Sequence, residues 1–341
     1  MLTNRLFGGV RGIRLGPHVT RQFILLATTC LIGLVFGLAR PDFLTFSNFL
    51  NIGLQTAVIS IIAFAMTCVI VARGIDLSVG STVAVAGVVG ALALQAGWPP
   101  LLGLIVILLV GLGVGALNGF LVTVIGVSPF IATLGTLALG RGAGLSLSEA
   151  SSIDVGQPLV LWFGSATVLG VPVSVVLSLL LLLCFWFLLN RTVFGRWVFA
   201  VGGNAGAARA STIPVRWTQF LTYLLTGVAA GIGSVITLGR LGSAQPLAGE
   251  GLEFAAITAV IVGGTKLSGG EGSIVSTFLG AVLVGVITAG LSFLGVRQEF
   301  TYMITGALIL LAVLSNRLEV LRPARWFGRS GSKQMRTEEA E

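Results

Sequence analysis

The sequence predicts an all-α fold: a polytopic helical membrane protein of about ten transmembrane helices, some broken, with the N- and C-termini in the cytoplasm. Three observations carry this reading. The 341-residue chain is 55% hydrophobic and only 9% charged, with a mean hydropathy of +1.02, whereas a soluble domain is about 25% charged. Apolar runs long enough to cross a hydrocarbon core of about 30 Å as helices recur along nearly the whole length. They do not alternate polar and apolar over about ten residues as barrel strands would. Finally, the basic residues fall mostly on one side of the spans that these runs define.

Taken in order, the first 21 residues form a basic arm (Arg5, Arg11, Arg14, Arg21) leading into an apolar run at 22–38. No A-x-A cleavage site follows and the run is long, so it is read as a retained helix and not a signal peptide. Further spans are expected near 49–72, 77–96, 101–125, 129–147, 168–189, 217–238, 252–265, 273–295 and 300–316. The run at 252–265 is short for a crossing and is expected to be half of a broken helix. With the N-terminus inside, the cytoplasmic pieces hold 16 of the 20 Lys and Arg residues, leaving Arg40, Arg141, Arg240 and Arg297 on the other face. That is the positive-inside pattern, and shifting the register of the early spans would break it. The transmembrane region is therefore placed at 22–316, between the arm 1–21 and a cytoplasmic tail 317–341 that is basic and then acidic.

This topology accounts for the net charge of +8 without nucleic acid. Cys30, Cys68 and Cys184 sit apart in apolar runs, no CxxC occurs, and His18 is the single histidine. No metal site or other cofactor site is expected. No G-x-x-x-x-G-K-[ST] phosphate loop is present. Gly111-x-Gly113 lies inside a membrane span with no strand before it, which rules out a dinucleotide fingerprint. The spans contain almost no carboxylates, which disfavours a proton-coupled carrier built on buried acids. The chain is expected to have no catalytic residues, and its energy must come from elsewhere.

Forty-eight glycines are about twice the usual frequency. Gly111, Gly115 and Gly119 in one span, and Gly227 and Gly231 in another, have the four-residue spacing that lets helices approach closely in lipid. Such faces serve static packing or sliding during a transport cycle. Two glycine-rich breaks resemble one another: RGIDLSVGS (73–81) and GGTKLSGGEGS (263–273) each follow Val-Ile-Val and contain Leu-Ser. This reads as a weak internal repeat, as transporters show. Both are placed as turns at the cytoplasmic edge, carrying Asp76, Ser78, Lys266 and Glu271. Asp76 or Ser78 can cap the next helix, or the turns can touch a cytoplasmic partner or the pathway. Arg73 is a neighbour able to compensate the Asp76 charge.

The segment 190–216 is the most informative. Its 27 residues carry Arg191, Arg196, Arg209 and Arg216 and no acid, between two apolar runs. In a protein with no chemistry of its own, such a loop suggests a docking surface for something that supplies energy.

Five passages then resemble a known family: RGIDLSVGS (73–81), SPFIATLGTLALGRG (128–142), GRWVFAVGGNAGAARAS (195–211), GRLGSAQPLAGEG (239–251) and AVIVGGTKLSGGEGSIVSTFLGA (259–281). In this order the chain is similar, over roughly 45–316, to the permease subunits of bacterial ATP-binding-cassette importers of the ribose-type monosaccharide group. The resemblance implies a location in the bacterial inner membrane. It also implies a second permease chain, identical or related, a cytoplasmic ATPase subunit and a periplasmic sugar-binding protein. It makes 195–211 the segment that docks on the ATPase through Gly195, Arg196, Gly202, Gly203, Asn204, Ala207, Ala208 and Arg209. Small alanines suit a groove in the partner, the arginines suit its rim, and Gly-Gly-Asn suits a turn with a helix cap. Ser211-Thr212-Ile213 and Thr288-Ala289-Gly290-Leu291 depart from the group's usual Ser-Gly-Ile and Asn-Asn-Gly-Leu, which leaves the sugar open.

A neutral polyol passes best along amides, hydroxyls and aromatics, and the candidates for that lining are Gln55, Asn118, Phe130, Thr133 and Thr136. The outer segments 148–167 and 239–251, with Glu149, Asp154, Arg240, Gln245 and Glu250, are candidates for receiving the binding protein. The competing readings are an energy-independent facilitator and an importer subunit for a non-sugar solute.

Overall fold

The computed structural model describes residues 17–321. Most of the arm 1–21 and of the tail 317–341 lies outside the described residues. In chain order the helices are α1 (Pro17–Ala39), α2 (Phe46–Val71), α3 (Val79–Gln95), α4 (Pro100–Phe120), α5 (Pro129–Leu147), α6 (Pro158–Ser165), α7 (Val173–Arg191), α8 (Val193–Gly203), α9 (Ala205–Ala210), α10 (Val215–Leu241), α11 (Leu252–Val262), α12 (Ile274–Phe293) and α13 (Gln298–Leu321). A helix lies at each of the ten positions where a span is expected. Seven described helices (α1, α2, α4, α5, α7, α10 and α12) are long and apolar enough to cross a membrane; α3, α11 and the stretch Gln298–Leu311 of α13 are shorter apolar helices.

Local chemistry sets the ends. Thr45, Thr192, Asn204 and Ser273 cap α2, α8, α9 and α12 through their side-chain oxygens. Pro100, Pro129 and Pro158 open α4, α5 and α6 at positions where no N–H is needed. Gly126, at φ 85°, stops the π-helical turn Leu121–Ile125 that follows α4, and Gly242, at φ 66°, ends α10.

The bundle is organised around α2, whose most apolar window is 89% buried, and α10 and α12 pack along it. Helices α4 and α10 meet through the glycines singled out above. A methyl on Gly111 would strike the Gly227 carbonyl, and one on Gly115 the Tyr223 carbonyl. The two glycine rows therefore face each other, and the backbones touch with no room for a side chain between them.

Two features depart from the expected layout. The outer segment 148–167 contains α6, whose Gly164 packs against Gly239 and Arg240 at the end of α10. The expected span 168–189 starts later, at Val173, because β2 (Thr167–Val168) and β3 (Val171–Pro172) form a hairpin. Its turn residues Leu169 and Gly170 both have positive φ, as the tight two-residue hairpin turn requires. In addition, β1 (Ile153–Asp154) pairs with β4 (Ser243–Ala244). The pairing joins the two outer segments, so Asp154 lies beside the start of the 243–251 loop.

Helix α11, with 11 residues, is a short apolar helix, in keeping with the short run at 252–265. After α10 ends, the chain re-enters the bundle, so that Gly249 lies against Gly80 in the first turn of α3. Ala244 and Pro246 of this segment are buried, while Gln245, Leu247 and Glu250 are exposed. At the other end of α11, Arg21 donates to the carbonyls of Ile261 and Val262 at 3.4 Å each. A cation there complements the helix C-terminus.

Candidate functional site: the coupling segment and the two glycine breaks

Helix α8 turns sharply out of α7, because Gly195 lies against the Leu189 carbonyl where a Cβ would collide. Asn204 then takes an extended conformation, with φ −155°, ends α8 and begins α9. Its Oδ1 accepts from the backbone N–H groups of Gly206 and Ala207, both at 3.0 Å. The eight residues expected to dock divide in two. Gly195, Gly202 and Ala208 are buried and seat the segment on the bundle, Ala208 packing with Val201 and Val215. Arg196, Gly203, Asn204, Ala207 and Arg209 are exposed and form the outward face.

The underside of this segment meets both glycine breaks. Gly202 abuts the Val71 carbonyl so closely that a Cβ would collide, and that Cβ would also lie 2.5 Å from the Gly270 nitrogen. Gly270 N–H donates to the same Val71 carbonyl at 2.9 Å. Arg73 donates from Nε to the Gly202 carbonyl at 2.6 Å and from Nη2 to the Gly203 carbonyl at 2.8 Å. These are the last two carbonyls of α8, which no further turn satisfies, and a guanidinium suits both their spare lone pairs and the negative end of the helix. The two repeat-like motifs and the α8–α9 segment are thus fastened at one point.

Arg73 therefore does not compensate Asp76. The backbone folds back along α10 instead: the Gln219 amide donates to the Ala72 carbonyl at 3.0 Å and the Tyr223 hydroxyl to the Ile75 carbonyl at 3.4 Å. Asp76 consequently lies level with Thr226, roughly 16 Å along α10 from its start at 1.5 Å per residue. It is 1% exposed and sits inside the bundle. Its carboxylate accepts from the Ser78 N–H at 3.0 Å, the Ser78 hydroxyl at 2.7 Å and the Thr226 hydroxyl at 2.7 Å. Asn118 donates to the Ser78 Oγ at 2.8 Å and accepts from Thr136 at 2.7 Å. One buried network thus joins the first break to α4, α5 and α10. The second break differs: its Lys266–Glu271 ion pair, at 2.6 Å, is about half exposed, and a pair of that kind adds little stability.

Of the five residues expected along a pathway, three come together: Thr136 donates to Asn118 Oδ1 at 2.7 Å and to the Thr133 carbonyl at 3.1 Å, while Phe130 and Gln55 lie elsewhere. Asn118 and Thr136 belong to the buried network. Thr133 is buried and bonds the Pro129 carbonyl, while Phe130 is 54% exposed on the outside of α5. Gln55 is half-buried at the far end of the bundle, in a polar pocket with Asn51 and Arg240. Sequence reading did not place Arg73, Thr226 and Gly270 at these junctions. Their partners lie 129, 150 and 199 residues away, and no local pattern encodes such distances. Among the described residues no group of three or more His, Cys, Asp or Glu could hold a metal ion.

A helical bundle with seven helices long and apolar enough to cross a membrane, and with the 193–210 segment bound to both glycine breaks, has the make-up of a membrane permease component. The chain belongs to the family described as the branched-chain amino acid transport system / permease component, whose model matches residues 48–313. It is similar to the D-allose transport system permease protein AlsC of Escherichia coli (strain K12), 40% identical over 298 residues that cover 87% of this chain and 90% of the relative. It is likewise similar to the ribose import permease protein RbsC of Escherichia coli (strain K12), 40% identical over 297 residues, 86% of this chain and 92% of the relative. The ribose import permease RbsC of Bacillus subtilis (strain 168) is 38% identical over 309 residues, 89% of this chain and 92% of that one. The protein is a multi-pass membrane permease of the bacterial inner membrane.

Proposed function

We propose that this chain is the membrane-spanning subunit of an ATP-driven importer that passes a monosaccharide from a periplasmic binding protein to the cytoplasm by alternating access. A separate subunit hydrolyses ATP, and two permease chains enclose the path. The observation that carries the reading is the seating of the coupling segment. Its exposed face (Arg196, Gly203, Asn204, Ala207, Arg209) is free to receive an ATPase. Its buried face is bonded to both breaks, so a push on α8 and α9 is delivered to the ends of α2 and α11 and, through Asp76, to α4, α5 and α10. Ligand-driven closure of the ATPase then biases a two-state bundle. The sugar class is supported by relatives whose names specify ribose and D-allose, at 38–40% identity. The family description names branched-chain amino acids, which makes leucine the natural competing substrate.

Uptake by the assembled complex, measured with and without the ATPase subunit against a panel of D-ribose, D-allose, D-xylose, D-galactose and L-leucine, tests this reading. The expected result is ATPase-dependent uptake of one or more of the sugars and none of leucine. Uptake that persists without the ATPase would replace the importer with a facilitator, and uptake of leucine alone would remove the sugar assignment.

A further inference from the structure

The outer end of the bundle holds a polar pocket that the coupling account does not use. It has a volume of about 440 Å³ and is lined by the first turns of α2 (Asn48, Asn51, Leu54, Gln55), by Arg240 at the end of α10, and by Ala289, Ser292 and Phe293 at the end of α12. Ligand pockets are commonly ~300–1,000 Å³. Asn48 is structural, since its amide donates to the Phe43 carbonyl at 2.8 Å. The side chains of Asn51, Gln55, Arg240 and Ser292 behave differently. Among the described residues they make no hydrogen bond or ion pair. Asn51, Arg240 and Ser292 are exposed and Gln55 is half-buried, so amide, guanidinium and hydroxyl groups from three helices line one solvent-open space.

We propose that this pocket is the entry site for the transported sugar, an inference that rests on the importer reading. The chemistry selects a neutral polyhydroxyl compound. Each amide offers both an N–H₂ donor pair and a carbonyl acceptor, so it can bond a hydroxyl in either sense, and the Ser292 hydroxyl does the same. Phe293, held edge-on by Phe43 with ring centroids 5.7 Å apart, supplies an apolar wall for the C–H face of a sugar ring. A zwitterionic amino acid is poorly served, because no carboxylate lines the pocket to meet its ammonium group. Gln55 lies nine residues into α2, roughly 14 Å below its start at 1.5 Å per residue. The pocket therefore reaches about three turns along α2 from the outer surface, at the face where a binding protein would release its cargo. Its groups bond a polyol without the ionic attraction that would retain it, as a transfer site requires.

The test has two arms, both on the full complex with its ATPase and binding protein. In the first, Asn51→Leu combined with Gln55→Leu is assayed for D-ribose and D-allose uptake, with co-purified ATPase measured on the same samples. Loss of two hydrogen-bonding amides predicts uptake reduced by roughly tenfold or more, with ATPase association unchanged. In the second, Asn51→Cys and Gln55→Cys are placed singly in a Cys30→Ala/Cys184→Ala background and treated from outside with a membrane-impermeant methanethiosulfonate. The carried sugar, in excess, is expected to slow modification roughly threefold or more, while Phe46→Cys on the neighbouring outer face is unaffected. Wild-type uptake by the double leucine variant, with neither cysteine protected, would overturn the entry site and leave the importer reading intact. ATPase-independent uptake would overturn the importer reading whatever the pocket does.

Discussion

Arg73→Ala is expected to leave the complex assembled and hydrolysing ATP while uptake falls roughly tenfold, at 1.4 kcal/mol per factor of ten. Arg73 joins the first break to the last two carbonyls of α8 at 2.6 and 2.8 Å. Charge-assisted hydrogen bonds contribute about 1.5–3 kcal/mol when sheltered. The Nη2 bond is exposed and screened, so the Nε bond carries most of the effect. None of the outward docking residues is altered, so ATPase binding should survive, and the loss should fall on transmission. Arg73→Lys retains a charge but not the planar fork that reaches both carbonyls, so it should give intermediate uptake. Measuring ATP hydrolysis and sugar uptake on the same proteoliposomes checks this. Equal loss of both activities would assign Arg73 to assembly, and no loss of either would remove it from the coupling path.

The second large effect is expected at Asp76. Replacing it with alanine deprives the Ser78 N–H, the Ser78 hydroxyl and the Asn118 amide of their shared acceptor, Oδ1, and the Thr226 hydroxyl of Oδ2. A buried polar group left without a partner costs about 1–3 kcal/mol. Thr226 keeps the Tyr223 carbonyl as an alternative, and Asn118 keeps Ser78 Oγ, so a total near 3 kcal/mol is expected. That cost appears as a lower melting temperature in detergent and a lower membrane yield. Asp76→Asn preserves the shape and the Oδ1 acceptor. Its amide can meet the Thr226 oxygen once that hydroxyl turns to the Tyr223 carbonyl, so the melting temperature should stay close to wild type. An alanine variant as stable as wild type would show that the network does not hold the break in place.

The pattern of these effects follows from what a linear sequence encodes. Span existence is carried by run length and hydropathy, so ten helices could be placed from residues alone, including the short α11. The Asn204 cap was legible after Gly-Gly, whereas Thr45 and Ser273, which cap α2 and α12, carry no comparable local signal. Helix α6 was not legible, because eight residues between a proline and a serine do not establish a period. The depth of the first break was also hidden. RGIDLSVGS announces a turn, but only Gln219, Tyr223 and Thr226, each about 150 residues on, draw it up along α10. The likeness of the two glycine motifs pointed to a repeat without indicating that Gly202 and Gly270 would converge on the Val71 carbonyl. For the docking segment, residue type was informative and orientation was not: three of its eight named positions face inward.

The central claim is that 195–211 receives the ATPase on its exposed face, and placing two negative charges on that face tests it most directly. Gly203→Glu with Ala207→Glu places two carboxylates on exposed positions, and a Cβ on Gly203 meets nothing within 4 Å. Membrane insertion and thermal stability should therefore be unchanged. ATPase co-purification and ATP-dependent sugar uptake, measured on the same samples, are expected to be lost together. Wild-type levels of both in the inserted variant would contradict the account.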